Sequence, residues 1–374
     1  MQDKNPGKNR KYYVIELLRL IACIGVYNGH FFSIALQSEN GIRLCDAINK
    51  TTLGKTIVVY SIAGDISVLF FFALSGFLLS YDLYRNGKQI TFRKLLQKEL
   101  YLILPSLLIV TIGALIAFLK RELWNAEGFS LTELFRDFRR IVIGGWQEDS
   151  YPYYSYQLWY INNVILCRLF LSLILMLFKD KFILRYLLYA ACGLAFWKYS
   201  LRMDIFIMGV AAGEIVALIL KKKESLSRAE RVGCILMAVL PLIAVPLVYH
   251  EGHRKTVNIW GGGLLFVICV SAIVLAYEYK CFGGRFRVSD RMKRMFDPLV
   301  RNSFTIYLVH VLVIGSAAKA YEAVRKYCGD APLYMILLCV LYFMLVVLAA
   351  ELLRRIMGLP ARIRKRINSK GNEK

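Results

Sequence analysis

The sequence is short of acidic residues and of histidine, and it has no polar stretch long enough to fold apart from the rest. Asp and Glu number 26 against 49 Lys and Arg, and histidine occurs four times. The nine cysteines form no C-x-x-C pair and no zinc-type spacing, so a metal centre is not expected. Six of them (Cys23, Cys167, Cys192, Cys234, Cys269 and Cys339) fall in apolar runs, where a thiol behaves as a small hydrophobe. No internal repeat and no low-complexity linker is seen. The formal charge of +23 has no DNA- or RNA-binding motif beside it, and the basic residues are confined to short segments between apolar runs. Nucleic acid is therefore not an expected partner. The first apolar run is too long for a signal h-region and no small-residue cleavage site follows it, so no cleavable signal is expected. With only about twenty basic, polar residues after the last apolar run, a fused soluble enzyme is not expected either.

What the chain has instead is hydrophobicity. Of 374 residues 57% are hydrophobic and the mean hydropathy is +0.49, the composition of an integral membrane protein. Ten spans are expected, at about 13–36, 57–83, 100–119, 157–178, 182–197, 203–220, 232–250, 257–277, 302–319 and 332–353. With the N-terminus in the cytoplasm, the inside segments (4–11, 85–98, 179–185, 221–231, 280–301 and 354 onward) hold 32 of the 49 Lys and Arg, and the outside segments 15. The remaining two, Arg19 and Arg168, lie within spans away from their ends. The positive-inside rule thus predicts an all-α polytopic protein with both termini cytoplasmic. Its parts are a tail over 1–12, a transmembrane domain over 13–353 and a basic tail over 354–374. Merging the short fifth span with its neighbour would put the cluster at 221–223 outside, against that rule. In the longest outer loop, about 120–156, the stretch LTELFRDFRRIVI either lies on the membrane surface or packs over the bundle. Cys45 and Cys328 both fall in outer loops, where a disulfide can form.

Within the first span stand Arg19 and His30. An arginine at mid-membrane costs about 2.5 to 3.5 kcal/mol on insertion scales, which makes it a functional candidate. Eleven residues at about 100° each bring His30 back over Arg19 on one helix face, about 16 Å away. Glu16 lies one turn before Arg19, where an ion pair lowers the cost of both; that pair either only stabilises the helix end or belongs to a site. A lone histidine on an apolar face is often a satisfied core residue, but the aligned arginine favours chemistry. The second span carries Asp65, a candidate to orient an imidazole, and Ser75-Gly76, small residues that let helices approach closely. In the ninth, Ser303, Tyr307 and His310 fall within about 60° of one face, as a polar cavity or a helix contact would place them. Trp159, with Tyr151, Tyr153, Tyr154 and Tyr156 before it, reads as an outer aromatic belt.

These pieces together resemble acyltransferase family 3, integral membrane enzymes with a ten-helix transmembrane acyltransferase fold. The resemblance rests on Glu16, Arg19 and His30 in order and on the F-F-x-x-S-G-F run Phe71, Phe72, Ser75, Gly76 and Phe77, preceded by Gly64-Asp65. A basic loop from Arg93 through Lys98 to Pro105 follows. Then come Leu158, Trp159, Tyr160 and Ile161, and finally the S-x-x-x-Y-L-x-H run of Ser303, Tyr307, Leu308 and His310. Departures are also present. Where the family commonly has two arginines three apart before the proline, this chain has Lys98 and Tyr101. Gln157 replaces a histidine before Leu-Trp, and Val164 stands where some branches have glutamate. The short C-terminus does not match members fused to an esterase-like domain.

The resemblance implies transfer of an acyl group, usually acetyl, from cytoplasmic acyl-CoA to a hydroxyl of a cell-surface or lipid-linked carbohydrate at a bacterial plasma membrane. It makes His30 the general base, Arg19 the guide of the donor arm or thioester, and Asp65 the orienting carboxylate. Glu16, Ser75, Trp159, Tyr307 and His310 become substrate contacts. Arg93, Lys94 and Lys98, with Arg285 and Arg287, become the cationic surface for the donor phosphates. Acyl-CoA is then a substrate and no permanent cofactor is expected; the bilayer is the standing partner. The competing reading is a transporter or flippase of a glycan or lipid-linked intermediate, since intramembrane charge also marks substrate pathways.

Overall fold

The computed structural model describes residues 13–35, 64–87, 90–124, 132, 135, 158–197, 203–248, 256–281, 290–328 and 332–371. Among these there is no strand, and eleven helices follow one another: α1 Tyr13–Ala35, α2 Gly64–Asn86, α3 Phe92–Trp124, α4 Leu158–Leu177, α5 Phe182–Trp197, α6 Met203–Lys222, α7 Arg228–Val248, α8 Thr256–Glu278, α9 Asp290–Ile314, α10 Ala317–Cys328 and α11 Pro332–Gly371. Six contain a segment long and apolar enough to cross a bilayer: Val14–Phe31, Ser67–Arg85, Phe92–Gly113, Leu158–Leu177, Met203–Lys222 and Ile336–Gly358. Phe182–Ala195 and Gly263–Glu278 are apolar but shorter. Large apolar side chains face outward on α5 (Ile183, Leu187, Leu194), α7 (Leu236, Leu240, Ile243) and α11 (Leu337, Leu341, Leu348). A helix bundle that is apolar on both its inner and outer faces is built for lipid. The chain is a multi-pass helical membrane protein.

Two expected boundaries differ. The segment from Arg93 to Pro105 is not a loop: α3 runs unbroken from Phe92 through Pro105. Thr91 caps it, its Oγ1 accepting from the Lys94 amide at 3.4 Å, so the basic residues enter the first turns of a helix. The ninth span, expected at 302–319, is also displaced. Its helix starts at Asp290 and stops at Ile314, and after the turn at Gly315 and Ser316 a separate helix, α10, begins.

Helix α2 is the hub, packing on α1, α6 and α8. Its approach to α6 depends on three glycines. A Cβ at Gly76 would collide with the Phe206 carbonyl, one at Gly209 with the Ala73 carbonyl, and one at Gly213 with the Phe77 carbonyl and the Ser80 hydroxyl. Gly209 and Gly213 form a small-xxx-small stripe on α6, and where the backbones come close Ser80 Oγ donates to the Val210 carbonyl at 2.5 Å. Helices α1 and α9 run parallel: Cys23 Sγ donates to the Ser303 carbonyl at 3.2 Å, and seven residues further along each helix His30 lies beside His310. Helix α11 runs against α9, since Asn302 donates to Glu351 at 3.0 Å while Ser316 meets the Tyr342 hydroxyl at 3.0 Å.

The start of α7 is fixed by a reciprocal cap. The Glu230 amide donates to Ser227 Oγ at 3.3 Å, and the Ser227 amide donates to Glu230 Oε2 at 2.9 Å. Lys223 adds an ion pair to the same carboxylate.

Candidate active site

The two ends of α1 carry different chemistry. Arg19 Nη1 donates to Glu16 Oε1 at 2.9 Å and Oε2 at 2.7 Å, and both side chains are about one-third exposed. The ion pair anticipated one turn apart is therefore formed, and it leaves the rest of the guanidinium's donor fork for other partners. Towards the other end, the half-buried His30 ring stands 5.0 Å, centroid to centroid, from the ring of His310, tilted by 46°. His310 is 1% exposed, and its Nδ1 lies 2.5 Å from the Tyr307 carbonyl.

Below the histidines the site continues as a column of rings and hydroxyls. The Tyr307 ring is 5.6 Å from His310 and 5.2 Å from Tyr160. The Tyr160 hydroxyl is 3.4 Å from the Ser75 hydroxyl. Phe71 and Phe72 wall the column, at 5.6 and 4.9 Å from Tyr160, and Trp159 leans on Phe72 at 6.3 Å. The Tyr160 hydroxyl is within electrostatic reach of both Arg19 and Arg168. Arg168 Nη2 in turn lies 3.2 Å from Glu99 Oε1 of α3, where the Glu99 side chain is 4% exposed. Neither Glu99 oxygen receives a well-directed hydrogen bond among the described residues. Three residues on from Tyr160, Asn163 is fully buried with both side-chain polar atoms unsatisfied among the described residues.

The tertiary structure therefore brings together His30, His310, Tyr307, Ser75 and, around the column, Trp159. Glu16 and Arg19 occupy the level below. Arg93, Lys94 and Lys98 are exposed along the first two turns of α3. They share the end of the bundle that holds Arg19, because Tyr101 of the next turn stacks on Phe304, adjacent to the residue that receives the Cys23 bond. The side chain of Asp65, and Arg285, Arg287, Cys45 and the Cys328 side chain, lie outside the described part, as does nearly all of the outer loop over 125–157. Three contributors were given no place in the site from sequence: Tyr160, named only within a motif, Arg168, noted only as an arginine within a span, and Glu99. Arg168 carried the same signal as Arg19, a lone arginine in an apolar run. Glu99 was hidden because it follows Lys98 in what read as a basic loop.

An otherwise apolar bundle that gathers arginines, a buried carboxylate, tyrosines and two histidines along one internal line is a membrane-embedded site for a polar reaction or passage. Which of these it serves is decided by kinship. A family model described as an acyltransferase domain matches residues 12–354, and the chain belongs to acyltransferase family 3. It is accordingly a membrane acyltransferase. No curated protein and no solved structure matches it.

Proposed function

We propose that this enzyme transfers an acyl group, acetyl in the first instance, from acyl-CoA on the cytoplasmic side to a hydroxyl of a cell-surface or lipid-linked carbohydrate. In this reading the chain crosses a bacterial plasma membrane ten times, and the distribution of Lys and Arg supports placing both termini in the cytoplasm. The observation that carries the proposal is the polar column itself. It has arginines at one level and a half-buried histidine about 16 Å higher on the same helix, with hydroxyl groups between them.

Donor and acceptor then meet from opposite sides. The CoA phosphates rest on Arg93, Lys94 and Lys98, and the extended pantetheine arm enters past Arg19 and Arg168. The thioester comes to lie beneath His30. His30 takes the proton from the acceptor hydroxyl as the oxygen attacks the thioester carbonyl, the C–S bond breaks, and the proton passes to the departing CoA thiolate. A positioned general base contributes about 10²- to 10⁴-fold. Ser75, Tyr160, Tyr307 and Trp159 line the path of the two substrates, and Asp65 is the candidate carboxylate on the neighbouring helix in the chain.

The test supplies purified protein in vesicles with labelled acetyl-CoA and candidate glycans, comparing wild type with His30→Ala and Arg19→Ala. Transfer by wild type and its loss on His30→Ala is the expected result. Undiminished transfer by His30→Ala removes that residue from the chemistry. Glycan accumulation inside vesicles without consumption of acetyl-CoA would establish transport instead.

A further inference from the structure

We infer that His310 is the positioning residue of His30: its Nε2 accepts a hydrogen bond from one ring N–H of His30 and so turns the other ring nitrogen, as a lone pair, toward the acceptor hydroxyl. The inference rests on His30 being the base, and it gives His310 the orienting role in place of Asp65 and of simple substrate contact.

The chemistry of His310 is settled by its neighbour. A carbonyl oxygen can only accept, so the 2.5 Å contact with the Tyr307 carbonyl requires Nδ1 to carry the proton. In the neutral ring Nε2 is then the acceptor, and it is buried with no hydrogen-bond partner among the described residues. A buried acceptor left empty is unfavourable, and a donor within reach satisfies it. The His30 ring is the polar group beside it. A nitrogen-to-nitrogen hydrogen bond of about 3 Å, with each nitrogen about 1 Å from its ring centre, requires a centroid separation of about 5 Å. The observed separation is 5.0 Å. With His310 held on the Tyr307 carbonyl, it is the His30 ring that turns about its side-chain bonds to align donor and acceptor.

The backbone holds the pair in register. Cys23 donates to the Ser303 carbonyl, and each histidine stands seven residues beyond its partner in that bond on parallel helices. Seven residues are about two helical turns, so the two imidazoles arrive at one depth and on facing sides. Their burial separates their roles. His310 is 1% exposed and shielded by Tyr307, whereas His30 is half-buried, so an incoming hydroxyl reaches His30. When His30 takes the hydroxyl proton, its bond to His310 becomes charge-assisted and steadies the imidazolium until the proton moves on to the thiolate. The arrangement is a base oriented by a third group, which is anchored here on a main-chain carbonyl.

Three substitutions separate this role from simple packing. His310→Gln places a carbonyl oxygen near the position of Nε2; His310→Asn is one methylene shorter and reaches only the Nδ1 position; His310→Leu keeps bulk without polarity. Expected are a kcat for Gln within about tenfold of wild type and a fall of about 100-fold for Asn and Leu, with KM for acetyl-CoA unchanged in all three. The second readout is nitrogen NMR of histidine-labelled protein in lipid, where the four histidines, His30, His250, His253 and His310, are assigned by substitution. His30 is expected as one tautomer in wild type and Gln, and as a mixture in Asn and Leu. Equal activity of Asn and Gln, or a His30 tautomer unmoved by His310→Leu, overturns the inference. Should the Leu variant fail to fold, the comparison of Gln with Asn still decides it. If wild type consumes no acetyl-CoA while the tautomer responds as expected, the acyl-transfer assignment of His30 fails and the pairing stands alone.

Discussion

Arg185 on α5 and Glu214 on α6 form an ion pair inside the bundle, with their side chains 2% and 4% exposed. Arg185 also donates through Nη1 to the carbonyls of Phe178, at 3.2 Å, and Lys179, and its guanidinium lies 5.4 Å over the Tyr84 ring. The Tyr186 hydroxyl supports Glu214 at 3.3 Å. In the sequence Arg185 counts among the basic residues of an inner segment; in the structure it is a buried strut that ties α5 to α6.

Breaking that strut from one side strands a charge. Glu214→Gln or Arg185→Met alone is expected to cost about 3 to 5 kcal/mol, whereas Arg185→Met with Glu214→Leu recovers most of the loss. Apparent melting temperatures of the purified variants in one detergent check this. Single variants as stable as wild type would show that the pair holds nothing.

The seam between α2 and α6 is equally specific. Gly209→Val puts atoms where the Ala73 carbonyl stands and is expected to destabilise by at least about 2 kcal/mol. Gly233→Ala on α7 meets nothing within 4 Å and is expected to leave stability unchanged or slightly raised. Yield and melting temperature of the folded protein distinguish the two.

Tyr160 offers a test of the column apart from its ends. Tyr160→Phe keeps the ring contacts with Phe72 and Tyr307 and removes the hydroxyl that faces Ser75. A lost neutral hydrogen bond of about 1 kcal/mol lowers the transfer rate about five- to tenfold if it acts in the transition state, with little change in melting temperature. The initial rate of labelled acyl transfer is the measurement.

At the water-exposed start of α7 the Lys223 ammonium, the Ser227 amide and the Ser227 hydroxyl hold the Glu230 carboxyl below the usual range, from 4.5 to about 2. A depressed folded value means the cap is fully effective above the ordinary glutamate range and is lost as pH falls through about 2. Hydrogen-exchange protection of the Ser227 and Glu230 amides should therefore decline between pH 4.5 and 2. Glu230→Gln, which caps without titrating, should flatten that decline.

Much of the architecture was legible from Arg19, His30 and the apolar runs, because a bilayer imposes length and polarity on each helix before any partner is chosen. The face shared by Ser303, Tyr307 and His310 was readable for the same reason: helical periodicity fixes angles within one element. The roles of Glu99, Arg168 and Tyr160 were not, since Glu99 reads as part of a basic segment and Tyr160 only as one letter of a family motif. Their value depends on what faces them from another helix.

By itself, then, the sequence determined a multi-pass helical membrane protein, its family, and one helix with a cation and a base on a common face. The first and last of these are consequences of composition and of the 3.6-residue turn, and the family rests on a resemblance carried by the order of its motifs. Only the tertiary structure decided that His30 meets His310, that Arg168 meets Glu99 and that Gly76 admits the backbone of α6. Such contacts join residues 69 to 280 positions apart, and their register is set by how closely helix surfaces fit, which no local periodicity encodes.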